Sequence, residues 1–221
     1  MSLIEELKKV LGDQNVLTGT DKERYSSDWL GQYQFEPLCV VRPASTEEVS
    51  DIVRLARSFH VNIVPVGGNT GLNGGTHSDN AISISMERMN KIREIRLNSK
   101  IAIVEAGVIL ANLHQIVSEN DLMFPLTFGA RGSATIGGVL STNAGGSNVL
   151  KYGNTRDLVL GVEIVLPSGE IMNLMSELHK DNSGYCLRDL VIGAEGTLGI
   201  ITKAVVKLFP KPKAYATAMV A

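Results

Sequence analysis

Side chains able to do chemistry by themselves are thinly spread in this chain. His60, His77, His114 and His179 stand far apart with no HxxxH or HxH spacing, so no metal-ligand motif is present. Cys39 and Cys186 form no CxxC pair. Cys186 beside Tyr185 reads as a core cysteine rather than a nucleophile, and no Ser/His/Asp triad can be assigned from spacing. Glycine is what the sequence concentrates: of 22, five lie in 67–75, eight in 129–161 and three in 193–199. Ordering glycine is entropically expensive, so such clusters imply tight turns or close approach of backbone to a ligand. Three clusters in one short chain point to a long ligand that touches several loops and brings its own chemistry.

The first cluster, PVGGNTGLNGG at 65–75, follows a strand. It matches neither GxGxxG before a helix nor a Walker A loop, since no Gly-Lys-Ser/Thr follows. Its successive backbone N–H groups can still form a nest for phosphate, with Thr70 and Asn73 as additional donors. The second, GSATIGGVLSTNAGGS at 132–147, carries small residues at nearly every position, with Ser141, Thr142 and Asn143 as donors. It suits backbone packed against something flat, or alternatively a tightly packed helix or turn. The third, IGAEGTLGII at 192–201, sets Glu195 between glycines, where it can accept from ribose hydroxyls or cap a helical turn.

The elements that must hold these loops follow from periodicity. Ser2 caps a helix over 3–11 that Gly12 stops; 20–36 lacks a clean period and reads as an irregular arm. A strand at 38–42 precedes a helix whose Ser45 and Glu48 form a capping box and whose apolar stripe is Val49, Ile52, Val53 and Ala56. Strands are expected at 61–66 and 81–85, a hairpin at 93–97 and 101–105, and a helix at 110–119. A strand–turn–strand unit spans 159–174, a short buried element 187–192, and a closing strand 200–208 ends at Pro210 and Pro212. Several strand pairs leave no room for a crossover helix, so a purely parallel sheet is excluded. The expectation is an α+β fold: a helix and arm (1–36), two subdomains (37–90 and 91–211), and at 212–221 the start of a further element. The formal net charge of -2 argues against a basic nucleic-acid-binding surface. Nothing resembles a secretory or membrane-spanning segment, and two unpaired cysteines suit a reducing compartment, so a cytoplasmic protein is expected.

At the three loops the sequence resembles the flavin-binding domain of the vanillyl-alcohol-oxidase/p-cresol-methylhydroxylase (PCMH) superfamily, within it most nearly the FAD-linked D-2-hydroxyacid dehydrogenases. PVGGNTGLNGG, GSATIGGVLSTNAGG, KYGNTRDLVLGVEIVLPSGE and IGAEGTLGIIT occur in the family's order, and the resemblance runs from Arg24 to Lys213. The segments at 123–126 and 180–185 look most like the 2-hydroxyglutarate branch. The resemblance implies a two-subdomain PCMH-type fold with mixed and antiparallel sheets and FAD between the subdomains. Gly67, Gly68, Asn69, Thr70, Gly71 and Leu72 would wrap the pyrophosphate. Pro125, Thr135, Gly138, Ser141, Asn143, Ala144 and Gly145 would line the pyrophosphate and the flavin side. Glu195, Gly196, Ile200 and Ile201 would lie near the ribose and adenine.

Members with covalent flavin often attach it through a histidine where Asn69 stands, so non-covalent FAD is expected. Ala194, Cys186 and Phe128 depart from the commoner pattern and change packing near the pocket without abolishing it. Full members of the branch are more than twice as long and carry a substrate-cap domain that recognises the hydroxy acid. The implied activity is therefore oxidation of a D-2-hydroxy acid to the 2-oxo acid with hydride transfer to flavin N5, the acid being bound only with that further domain. The electron acceptor is unassigned and a homodimer is compatible with this reading. Two alternatives are a UDP-N-acetylenolpyruvoylglucosamine reductase-like domain using NADPH and a non-catalytic binding module. The long matches around NAGG and GAEG favour the dehydrogenase branch.

Overall fold

The computed structural model describes residues 2–219. Ser2 accepts from the Glu5 N–H at 3.3 Å while Glu5 accepts from the Ser2 N–H at 2.8 Å, so helix α1 (Leu3–Leu11) starts on a closed capping box. Gly12, at φ +81°, ends it. A short strand, β1 (Val16–Leu17), follows, and 19–25 wind into a 3-10 turn within the otherwise irregular arm. Then come β2 (Cys39–Val41), α2 (Thr46–Ser58), β3 (Ile63–Val66) and β4 (Ile82–Ser85). These strands make a four-stranded sheet in the order β1-β2-β4-β3, with β2, β4 and β3 parallel and β1 antiparallel to β2. The expected stripe Val49, Ile52, Val53 and Ala56 is buried against Leu3, Leu7 and Leu11 of α1 and Ile82 and Ile84 of β4. The cap of α2 differs in detail. Ser45 accepts from the Glu48 N–H at 3.2 Å, but Glu48 reaches past it to the Ala44 N–H at 2.7 Å.

The second half contains β5 (Ile92–Arg96), β6 (Ile101–Glu105), α3 (Leu110–Ser118), β7 (Leu122–Met123), α4 (Ile136–Ser141) and α5 (Val149–Tyr152). It continues with β8 (Val159–Val165), β9 (Ile171–Leu174), α6 (Arg188–Val191), β10 (Ile200–Lys207) and β11 (Phe209–Pro210). Its five-stranded sheet, β5-β6-β10-β8-β9, is antiparallel throughout, as the two strand–turn–strand signals require. Its core joins Val104, Leu113, Ile136, Leu140, Val162 and Ala204. The fold is α+β with one mixed and one antiparallel sheet.

Three further expectations differ in the structure. β10 ends at Lys207, and Pro210, expected to close it, instead pairs with Leu122 in the small β7–β11 ladder, at an edge where a missing N–H is tolerated. The element at 187–192 is buried only at its end: Val191 and Ile192 enter the core, whereas Leu190 is 62% exposed. The second glycine loop, by contrast, takes the helical one of its two readings: α4 forms there, with Thr135 capping it by accepting from the Gly138 N–H. Residues 211–219 carry no regular structure where the start of a further element was expected at 212–221, a segment whose last two residues lie outside the described residues.

The halves share buried apolar contacts, with Ala106, Val165 and Ile200 in the core of the first half, and polar ties beside them. Ser50 donates to the Gly169 carbonyl at 2.5 Å and Arg54 reaches the same oxygen at 3.2 Å, docking α2 on the β8–β9 turn. Beside it, the buried Glu163 gathers Thr46 from α2 with Thr202 and Lys203 from β10.

Candidate cofactor-binding cleft

The first glycine loop leaves the carboxyl end of β3, and its opening residues are glycine for a packing reason. A Cβ at Gly68 would stand 1.9 Å from the Ser133 carbonyl oxygen, and one at Gly67 would stand 2.4 Å from Thr135 Oγ1. The first and second loops therefore interlock backbone against backbone before any ligand arrives. Gly71 is different: nothing lies within 4 Å of where its Cβ would be. The third loop is fixed to the end of α4, with Gly193 N–H donating to Leu140 and Glu195 N–H to Ser141 at 3.0 and 2.9 Å.

Together the loops enclose a cleft of about 710 Å³. Gly67, Gly68, Asn69, Thr70, Gly71 and Leu72 line one wall. Thr135, Gly138, Ser141, Asn143, Ala144 and Gly145 line the second, and Glu195, Ile200 and Ile201 the third. Pro125 and Gly196 stand behind the lining. Pro125 is buried, with its carbonyl accepting from Asn148 Nδ2 at 2.8 Å, and a Cβ on Gly196 would meet Pro65 at 2.6 Å. Met86 and Thr76 join the lining although no loop motif marked them, as do Gly199, inside the third loop but given no role there, and Phe128, singled out only as a departure. Met86 was within reach of sequence reasoning: parallel pairing of Val66 with Ser85 sets the residue after β4 beside the start of the first loop.

No backbone N–H from Gly67 to Thr76 donates to a protein acceptor among the described residues. That leaves a run of unpaired donors along one wall, the arrangement that nests an anion. Neither lysine nor arginine lines the cleft, so neutralisation of a phosphate there falls to backbone dipoles. Each loop also places one non-glycine residue of the lining in the left-handed region: Asn69 at φ +51°, Asn143 at +45° and Glu195 at +51°. Such backbone is sparsely populated and persists where surroundings over-determine it. Asn69 shows how. Its amide donates to the Ser27 carbonyl at 2.8 Å and accepts from Thr76 at 2.7 Å, tying the arm to the loop. Glu195 is the one carboxylate of the lining, 3.7 Å from a Cβ position on Gly75 across the cleft.

Among the described residues no group of three or more His, Cys, Asp or Glu could hold a metal ion. The lining contains no histidine or cysteine either, and Cys186 is exposed rather than in the core. Arg24 and Tyr25 bind Glu87 instead of lining the cleft, and Trp29 is more than half exposed on the arm. A cleft with unpaired backbone donors, one carboxylate and small residues between them fits a dinucleotide cofactor.

Fold and cleft together define a two-subdomain flavin cradle. The comparisons identify it further: a family model described as FAD binding domain matches residues 37–175. The chain belongs to that family, and FAD is its cofactor. It is 43% identical over 193 residues to a D-2-hydroxyglutarate dehydrogenase of Xanthomonas citri pv. viticola, covering 87% of this chain and 41% of the relative. A D-2-hydroxyglutarate–pyruvate transhydrogenase of Saccharomyces cerevisiae is 38% identical over 211 residues, covering 94% and 42%. The chain thus spans about two fifths of the length of these relatives. Among solved structures, an alkyldihydroxyacetonephosphate synthase aligns with a TM-score of 0.85 at 26% identity, covering 96% of this chain and 41% of the other. A Phl p 4 variant with glucose oxidase activity shares the fold, with a TM-score of 0.81 at 18% identity, covering 96% and 44%. No helix among the described residues is long and apolar enough to cross a membrane.

Proposed function

We propose that this chain is the FAD-holding part of an oxidoreductase that converts a D-2-hydroxy acid, of the 2-hydroxyglutarate kind, to its 2-oxo acid. The observation that carries the proposal is the cleft itself: unpaired backbone donors line it, and histidine, cysteine and basic side chains do not. Bound FAD would supply the redox step by accepting the α-hydride at flavin N5. The residues of this chain bind and orient. Donors of 67–72 face the pyrophosphate, and Thr135, Gly138, Ser141, Asn143, Ala144 and Gly145 flank it toward the flavin. Glu195, Ile200 and Ile201 meet the ribose and adenine, while Pro125 and Gly196 back the walls. Binding is non-covalent, because Asn69 stands where covalent members carry a histidine and the lining offers neither histidine nor cysteine. The names of the relatives support the substrate class. We divide the chain into an arm (1–36) and subdomains (37–90 and 91–211), and assign recognition of the acid to a further domain beyond 212. Two unbridged cysteines support a reducing, cytoplasmic location.

Visible absorbance tests the reading. The chain, mixed with FAD and desalted, should retain flavin bands at about one cofactor per chain; colourless protein overturns it. In the full-length protein, D-2-hydroxyglutarate should bleach those bands anaerobically. Bleaching by NADPH alone would replace the substrate class with that of an enol-ether reductase.

A further inference from the structure

The left-handed backbone at Asn143 and Glu195 needs a cause outside the cleft, and one residue touches the loops that hold both. Arg156, on the turn between α5 and β8, donates its backbone N–H to Asn143 Oδ1 at 2.9 Å. Its guanidinium donates to the Ile192 carbonyl at 2.6 Å, at the start of the third loop. A Cβ on Gly193 would lie 3.1 Å from that guanidinium and 3.3 Å from the Asn143 side chain, so the two loops and Arg156 stack without slack. Arg156 does not line the cleft.

We propose that Arg156 is a positioning residue of the cofactor site, locking the second and third glycine loops in register so that Glu195 stays aimed into the cleft. The proposal rests on the reading of the cleft as the FAD site. The backbone contact to Asn143 survives most substitutions at this position; the contact to Ile192 belongs to the side chain alone. Loss of the guanidinium therefore removes the side-chain tie at Ile192 and leaves the third loop held only by its backbone bonds to Leu140 and Ser141, with the first two loops in place. A charge-assisted hydrogen bond to a carbonyl is strong enough for its loss to be read as a change of about tenfold or more in affinity.

The test titrates FAD into flavin-free wild type, Arg156→Met and Arg156→Lys, following the visible flavin bands and the thermal midpoint. Arg156→Met should bind FAD about tenfold more weakly or worse at a nearly unchanged midpoint, and Arg156→Lys, which keeps a cationic donor, should recover most of the loss. Amide exchange over 193–199 should speed up in the Met variant alone. Equal FAD affinity in all three proteins overturns the positioning role, as does a Lys variant no better than Met. If Arg156→Met fails to fold, Arg156→Gln, which is too short to replace the guanidinium, takes its place: FAD binding about tenfold weaker with faster 193–199 exchange supports the role, and affinity within about threefold of wild type overturns it. Wild type that binds no FAD overturns the cofactor reading itself, a result separate from any difference among the variants.

Discussion

Thr46, the first residue of α2, donates its hydroxyl to the buried carboxylate of Glu163 on β8, joining the two halves of the molecule. Thr202 at 2.8 Å and Lys203 at 2.9 Å reach the same carboxylate from β10. Burial alone pushes the Glu163 carboxyl up, but the hydrogen bonds from Thr46, Lys203 and Thr202 outweigh it and hold the group below the usual carboxylate range.

Removing this carboxylate should destabilise the fold strongly, because three donors lose their common acceptor. Glu163→Ala is expected to cost about 3 kcal/mol in urea unfolding, and Glu163→Gln less, since an amide oxygen still accepts from the threonines. The pH dependence has a definite sign. A lowered folded value means that the ionised carboxylate stabilises fully above the ordinary range and loses that effect as pH falls through the depressed value. The gap between wild type and Glu163→Gln should therefore shrink in acid. A gap that widens on acidification contradicts the assignment.

Gly68 and Gly71 should separate folding from binding. Gly68→Ala forces a methyl into the Ser133 carbonyl and is expected to cost about 3 kcal/mol of stability whether or not FAD is added. Gly71→Val points into open space, so its thermal midpoint should stay within about 2 °C of wild type while FAD affinity drops about tenfold or more. Melting curves and FAD titrations of the two variants give the answer. Tight FAD binding by Gly71→Val would move the pyrophosphate away from the first loop.

Denaturing the FAD-loaded protein should release all of its flavin to the supernatant. The cleft offers no histidine or cysteine for attachment, and Asn69 is engaged on both sides of its amide. Yellow, fluorescent polypeptide after precipitation and washing would contradict this.

The two thiols should react at very different rates. Cys39 is fully buried on β2, and burial pushes its thiol up to about 11, whereas Cys186 is exposed. Titration with an aromatic disulfide reagent should show one accessible thiol in the native protein and the second only on unfolding. The accessible thiol should react slowly at neutral pH, because a hydrogen bond to Asp189 raises the Cys186 thiol too. Mass mapping of the modified residue identifies it.

Elements with a strong local signal were legible in the sequence: α1 and α2 through their caps and stripes, β5–β6 and β8–β9 through short turns between alternating runs. The two-residue strands β1, β7 and β11 were not, since so short a run has no period and exists only through its partner. Glycine density located the cleft but misassigned part of its own cause. Gly67 and Gly68 answer to Thr135 and Ser133, a contact between segments far apart in sequence that no local pattern encodes. Pro125 and Gly196 fell behind the lining for a related reason: a loop motif marks a stretch of backbone, and the side it turns to the ligand is set by what packs on its other side.

The interlock of Gly68 with Ser133 also limits how this cradle can change over time. A substitution that enlarges either loop collides with the other, so 67–68 and 133–135 must vary in step or stay as they are. Anyone grafting a first loop from another flavoprotein into this chain would have to transplant its counterpart at 133–135 with it, as one unit of inheritance split across the sequence.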